Sequence, residues 1–258
     1  RRYPCIMKPI IKTATWGKKY GIHKAFRINS TSEFIKEAEE YFSVTNIPLI
    51  IQEWIEGPES TIHFCLVHYN QDSKCKEYFT GKKLLQWPPE VGNTCIAEST
   101  QNEYISCESI NFFNKINFKG LGSLEFKCDI GDNKYFIIEA TVGRIDFQSS
   151  IALGNQINIP LSYYCDLLGI NMPFASKNKR KVFWIAEESL LSLLGRRKLF
   201  SQISFLTWIR IILNKKIFTY LYIDDLMPIF CLIKFSLIKI VKLVLARKSL
   251  FVQFDGKF

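Results

Sequence analysis

The stretch LGSLEFKCDIGDNKYFIIEATVGR, Leu121 to Arg144, decides how this chain is read. Two runs of strand-forming residues, SLEFKC and KYFIIEA, flank Asp129-Ile130-Gly131-Asp132-Asn133, whose Gly, Asp and Asn suit a tight reversal. The spacing predicts a β-hairpin with its turn centred near Asp132. Glu125 and Glu139 then fall opposite each other with their side chains on one face. Like charges facing across two strands destabilise a sheet, so that face is either fully solvated or holds something positive. A hard cation resolves the conflict. Mg²⁺ takes one or two carboxylates together with waters and phosphates, and Thr141 adds a hydroxyl on the Glu139 face.

Working outward, Tyr3 to Met7 reads as a short apolar strand running into Lys8-Pro9. Ile10 to Lys24 carries Gly17, Gly21 and four lysines, and reads as a basic, glycine-bearing loop. Ser30-Thr31-Ser32-Glu33 has the form of a helix start, with Thr31 or Ser32 as N-cap and a helix to about Ser43. Pro48 to Gln52 (PLIIQ) reads as a buried strand followed by EWIEGPE, Glu53 to Glu59. STIHFCLVHY, Ser60 to Tyr69, alternates as a strand, which sends His63 and His68 to opposite faces as separate structural histidines. Beyond it lie Lys82, Lys83 and a Pro- and Gly-containing loop to Gly92. Glu98 to Asn117 reads as a polar start and an amphipathic helix. Phe147 to Leu153 and Ile159 to Leu168 read as helices, the second stopped by Gly169.

Composition bounds the rest. The 258 residues are 48% hydrophobic, enough for a real core. Eight cysteines without Cys-x-x-Cys spacing fit reduced thiols in the cytoplasm and give little support to a zinc site. The absence of an initiator Met at Arg1 suggests a fragment. The net charge of +10 is confined to one end: residues 1–176 carry 18 basic and 19 acidic side chains, residues 177–258 carry 16 and 5. That shift places a boundary at 176/177, between a first domain, 1–176, and a basic, apolar tail, 177–258.

The acidic hairpin, read with the segments before it, resembles the ATP-grasp superfamily, in the carboxylate-amine ligase-like or carbamoyl phosphate synthase-like branch. In that family an acidic residue on one strand and Glu-x-Asn on the next hold Mg²⁺ (or Mn²⁺) against the ATP phosphates. Here the pattern is Glu125, then Glu139-Ala140-Thr141, with Thr141 where most members carry Asn, and Arg144 following. The resemblance implies an α+β fold of two subdomains gripping ATP between antiparallel sheets, with an α-helical C-terminal tail. It implies Lys8 on the α- or β-phosphate, Ile10 to Lys24 as a phosphate-covering loop with Lys24 among its cations, and QEWIE as the adenine hinge. In that hinge the backbone of Glu53 and Ile55 pairs with the adenine edge, Gln52 sits by the exocyclic amine, and Glu59 takes the ribose hydroxyls. Lys83, in preference to Lys82, and Arg144 stabilise the transferred phosphoryl group. The resemblance covers Tyr3 to Pro173.

The implied activity is ATP- and Mg²⁺-dependent ligation of a small carboxylate to an amine, or a thiol, through an acyl phosphate. The alternative is a catalytically weak nucleotide-binding protein associated with a membrane surface or partner. Nucleic acid is not expected as a partner, because the tail lysines interleave with bulky aliphatics and form no reading motif. In the tail, Phe183 to Leu199 and Phe205 to Phe218 read as helices. Leu226 to Leu245 is strongly apolar but interrupted by Lys234, Lys239 and Lys242, which favours an amphipathic helix, and a peripheral contact with the inner face of the membrane, over a transmembrane span.

Overall fold

The computed structural model describes residues 3–11, 13–21, 23–172, 180–194 and 203–238. Two sheets organise them. The smaller has the order β2-β1-β3 and is antiparallel, from β1 (Cys5–Pro9), β2 (Phe26–Ile28) and β3 (Leu49–Glu53). Helices α1 (Ala14–Tyr20) and α2 (Thr31–Phe42) belong to this unit. Its core is Cys5, Met7 and Ile28, with Phe26, Phe34, Leu49 and Ile51 against them.

Three expectations change here. Ile10 to Lys24 is not wholly a loop, because Thr13 caps a helical turn by accepting from the Trp16 amide and the Trp16 ring is buried against Tyr20, Phe26 and Tyr41. Burial of one large aromatic is worth enough, about 1.5–3 kcal/mol or more, to fold the segment onto the sheet. The N-cap of α2 is Ser30, whose hydroxyl accepts from the Glu33 amide at 3.2 Å while Glu33 accepts from the Asn29 amide at 2.7 Å. Strand β3 is half-buried rather than buried, since it edges the small sheet.

The larger sheet has the order β10-β9-β6-β5-β4-β7-β8. Its strands are β4 (Ile62–Tyr69), β5 (Cys75–Trp87), β6 (Asn93–Thr100), β7 (Gly120–Cys128), β8 (Tyr135–Val142), β9 (Val182–Ile185) and β10 (Lys215–Phe218). All neighbours are antiparallel except the β9 and β10 pair. Strand β4 is central and buried on both faces. Phe64 and Leu66 join a core with Phe79, Ile151, Ile159 and Trp184, while Cys65, Val67 and Tyr69 join Ile105, Phe113, Leu124 and Phe126 beneath α3 (Glu103–Lys115). Gly81 is required there, because a Cβ would come within 2.3 Å of the Phe64 ring. A 3-10 segment, Phe147–Asn155, and α4 (Ile159–Leu168) cover the first face, and α4 stops at Gly169 with φ of 65°.

The helical tail is corrected by two strands. Val182, Phe183 and Trp184 are wholly buried in β9, paired to β6, and Lys215–Phe218 extends the sheet as β10. Helices α5 (Glu187–Leu194) and α6 (Phe205–Leu213) lie within the segments read as continuous helices, and residues 195–199 fall outside the described ones. The apolar content of VFWI fits a strand and a helix equally, and the open edge of β6 decides between them. The 176/177 boundary lies outside the described residues, and the chain beyond it rejoins the same sheet. Residues 227–238 are helical, and Lys239, Ile240, Lys242 and Leu243 lie outside the described residues. Among the described residues, no helix is long and apolar enough to cross a membrane.

Candidate functional site

The hairpin of β7 and β8 is built by its turn. The Asp129 carboxylate accepts from the Gly131 amide at 2.7 Å, the Asp129 amide donates to the Lys134 carbonyl at 2.8 Å, and Asn133 takes the left-handed conformation with φ of 57°. The register then sets Glu125 directly against Glu139, with an irregularity immediately after, between Glu125 and Phe126. Glu125 is half-buried and Glu139 exposed, and both line the cleft beside the small sheet.

Between the sheets lies a cleft of about 180 Å³. It gathers residues distant in sequence: Lys8 from β1, Lys24 before β2, Gln52 from β3, Lys83 from β5, Glu125 from β7, Glu139 and Thr141 from β8, and Arg144 beyond it. Eight of the eleven site residues anticipated from sequence share this cavity. Glu53, Ile55 and Glu59 do not line it. Ile55 is buried, and Glu53 ends β3 facing solvent. Glu59 is already engaged: its carboxylate accepts from the Gln86 amide at 2.5 Å and from the Glu90 amide at 2.8 Å, fixing the loop after β5. Burial raises its pKa, opposed by those two backbone bonds.

Lys82 and Lys83 separate cleanly, because neighbours on a strand point to opposite faces. Lys83 is 5% exposed and its Nζ lies 2.7 Å from Glu125 Oε2. Lys82 faces the other side, 3.6 Å from Glu98. Thr141, 9% exposed, lies beside Glu139 on the cleft wall.

Three cleft residues carried no signal in the sequence. Asp146 is buried, accepts from Ser123 Oγ at 2.7 Å, and has its pKa raised first by burial and then by Glu125. Gln148 donates to Asp146 and receives a bond from Thr94. Asn93 accepts from Lys24, which ties the small unit to the large sheet, as does Gln52 donating to the Ile138 carbonyl at 3.5 Å. Ser123, Thr94 and Lys24, which bond to them, come from separate elements, so no local pattern marks them.

The donor set fits a hard divalent cation. Glu125, Glu139 and the Thr141 hydroxyl are oxygen donors, and no cluster of three or more His, Cys, Asp or Glu among the described residues could hold a metal alone. Mg²⁺ is bound in that partial way, completing its shell with water and phosphate oxygens. The histidines stay out of it: His68 is buried with Nδ1 at 2.8 Å from Ser162 Oγ, and His63 lies against Tyr135.

No family model matches the chain. It is 24% identical over 151 residues to the D-aspartate ligase of Enterococcus faecium (strain Aus0004), covering 56% of this chain and 36% of that protein. Its fold is similar to that of the biotin carboxylase domain of the Hydrogenobacter thermophilus 2-oxoglutarate carboxylase, with a TM-score of 0.54 at 13% identity over 70% of this chain and 40% of that one. It is also similar to N5-carboxyaminoimidazole synthase from Aspergillus clavatus, with a TM-score of 0.50 at 17% identity over 69% and 44%. The chain thus spans well under two thirds of these proteins. With a three-stranded sheet closing over a larger, mainly antiparallel one, and acids and lysines meeting between them, this chain has the ATP-grasp fold.

Proposed function

We propose that the cleft binds ATP with Mg²⁺ and phosphorylates a small carboxylate to an acyl phosphate, which an amine then attacks to give an amide. The observation that carries this reading is the convergence of Glu125, Glu139 and Thr141 with Lys8, Lys83 and Arg144 around one cavity between two sheets. The D-aspartate ligase likeness supports a carboxylate and amine as the substrate classes, and the Hydrogenobacter carboxylase, solved with MgADP, supports the nucleotide and metal.

Mg²⁺, when bound, neutralises phosphate charge. The chain's own residues do the remainder. Glu125 and Glu139 would hold the cation, which would relieve their mutual repulsion. Lys83 keeps a charge beside Glu125 where the γ-phosphate would arrive, and Lys8 and Arg144 approach the phosphates from the small sheet and the β8 exit, so stabilisation of the transferring group is electrostatic. In this reading the nucleotide extends out of the cleft past the Lys24–Asn93 and Gln52–Ile138 contacts. The adenine edge then meets the backbone of Glu53 and Ile55 beside Gln52, and the ribose competes with the Gln86 and Glu90 amides for Glu59.

The test is phosphate release and hydroxamate formation from ATP, Mg²⁺ and a panel of amino acid carboxylates in the presence of hydroxylamine. Carboxylate-dependent hydroxamate supports the reading; ATP binding without any phosphate release defeats it. That second outcome favours a catalytically weak nucleotide-binding protein, a reading that Thr141 supports by offering a single hydroxyl where most ATP-grasp proteins have Asn. A peripheral membrane contact is the further part of this reading: Met227, Phe230, Phe235 and Leu237 are exposed on residues 227–238 beside Lys234.

A further inference from the structure

We propose that a second cavity, separate from the cleft, is a binding site for a small organic phosphate. It has a volume of about 540 Å³, within the range of small-molecule sites and larger than the cleft. Four cations line it: Lys82 from β5, Arg180 and Lys181 leading into β9, and Arg210 from α6. Only two acids, Glu98 and Glu103, do so.

The arrangement exceeds what structure alone requires. Glu98 is 2% exposed on β6, and a buried carboxylate needs a partner. It has three: Lys181 at 3.1 Å, Lys82 at 3.6 Å and Arg210. One cation would compensate it. Three around a single carboxylate repel one another, and this is stable where a further anion shares them. Lys181 and Arg210 are 44% and 42% exposed, so their remaining donors reach the cavity. Arg210 meets Glu98 through one nitrogen, leaving most of its guanidinium fork for a second acceptor.

Lys82, Lys181 and Arg210 together outnumber the one carboxylate they share, which suits the negative charge of a phosphate monoester. The first turn of α3 borders the cavity through Asn102, Glu103 and Ser106, and a helix start favours the same charge. Tyr78, Phe79 and Ile157 give the wall an apolar part for the organic portion. Because Lys82 and Lys83 lie on opposite faces of β5, the two sites are back to back on one strand. The inference does not rest on the activity proposed for the cleft.

Calorimetric titration of the full chain with glycerol phosphate, and with inorganic phosphate as the bare headgroup, tests it. Saturable binding is expected at millimolar concentrations or below, undiminished in Lys8→Gln, whose side chain belongs to the cleft. Arg210→Gln and Lys181→Gln should each weaken it about tenfold, the scale of one lost charge-assisted contact. Lys181→Gln leaves two cations on Glu98, so it remains interpretable if Arg210→Gln fails to fold by circular dichroism. Absence of heat in the wild type, binding unaffected by Lys181→Gln, or binding abolished by Lys8→Gln overturns the assignment.

Discussion

Lys83 of β5 and Glu125 of β7 meet across the intervening strand β4, Nζ to Oε2 at 2.7 Å, with Lys83 only 5% exposed. The lysine therefore stands beside one of two acids whose register opposes them, and compensates part of a repulsion that a cation would otherwise relieve alone. The two acids are not equivalent, since Glu125 has a buried partner and Glu139 is exposed.

That difference is measurable. Glu125→Gln removes the charge facing a buried ammonium and is expected to lower unfolding free energy by about 1–3 kcal/mol in urea titrations. Glu139→Gln should change it by less than about 0.5 kcal/mol, as for most exposed positions. Equal loss in both variants would show that the Lys83 pair contributes nothing of its own.

Glu139→Gln should nevertheless abolish Mg²⁺-dependent ATP turnover with the fold intact. Phosphate release at saturating ATP is the measurement, and turnover at the wild-type rate would remove Glu139 from the metal site.

Glu59→Ala should act twice. Without nucleotide it leaves the Gln86 and Glu90 amides lacking their acceptor and costs about 1–3 kcal/mol of stability. With nucleotide it should also weaken ATP affinity, because the carboxylate is the candidate acceptor of the ribose hydroxyls. Lost stability with unchanged calorimetric affinity would assign Glu59 to the loop alone.

His63 carries a pH signature. Burial, then the nearby Lys82 charge, lowers its pKa from 6.5 to about 4, and its Nδ1 is buried without a hydrogen-bond partner. Between those values the unfolded chain holds a proton that the folded chain lacks, so unfolding takes up a proton and stability falls as pH drops from 6.5 to about 4. Chemical denaturation of His63→Gln across that window should show a shallower fall than wild type; identical slopes would exclude the contribution.

Trp184 tests where the structural unit ends. Trp184→Ala removes a wholly buried ring from the core with Phe64 and Ile151 and should cost about 3–5 kcal/mol. Deleting residues 177–258 removes β9 and β10, so that protein should lose its native circular dichroism. A well-folded deletion with native Tm would show that the sheet closes without them.

Local pattern was sufficient where one segment carried all its own instructions. The reversal at Asp129–Asn133 and the alternation on either side set the Glu125–Glu139 register, since a strand repeats every two residues and the turn counts the offset. The Tyr3–Met7 and PLIIQ runs marked two strands of the small sheet in the same way, while their pairing and the third strand, Phe26–Ile28, came from the tertiary structure, and the order of these segments carried the ATP-grasp resemblance. Tertiary structure decided what depended on partners remote in sequence. VFWI became β9 because β6 offered an open edge; Ile10–Lys24 became partly helical because Trp16 found an aromatic pocket; Glu59 turned to two backbone amides about 30 residues away; and Glu98, polar in any local reading, was drawn inside β6 by cations from β5, from the approach to β9 and from α6. A hydrogen bond or ion pair is a contact between two sites in space, and a one-dimensional pattern encodes it only when both sites lie within one element.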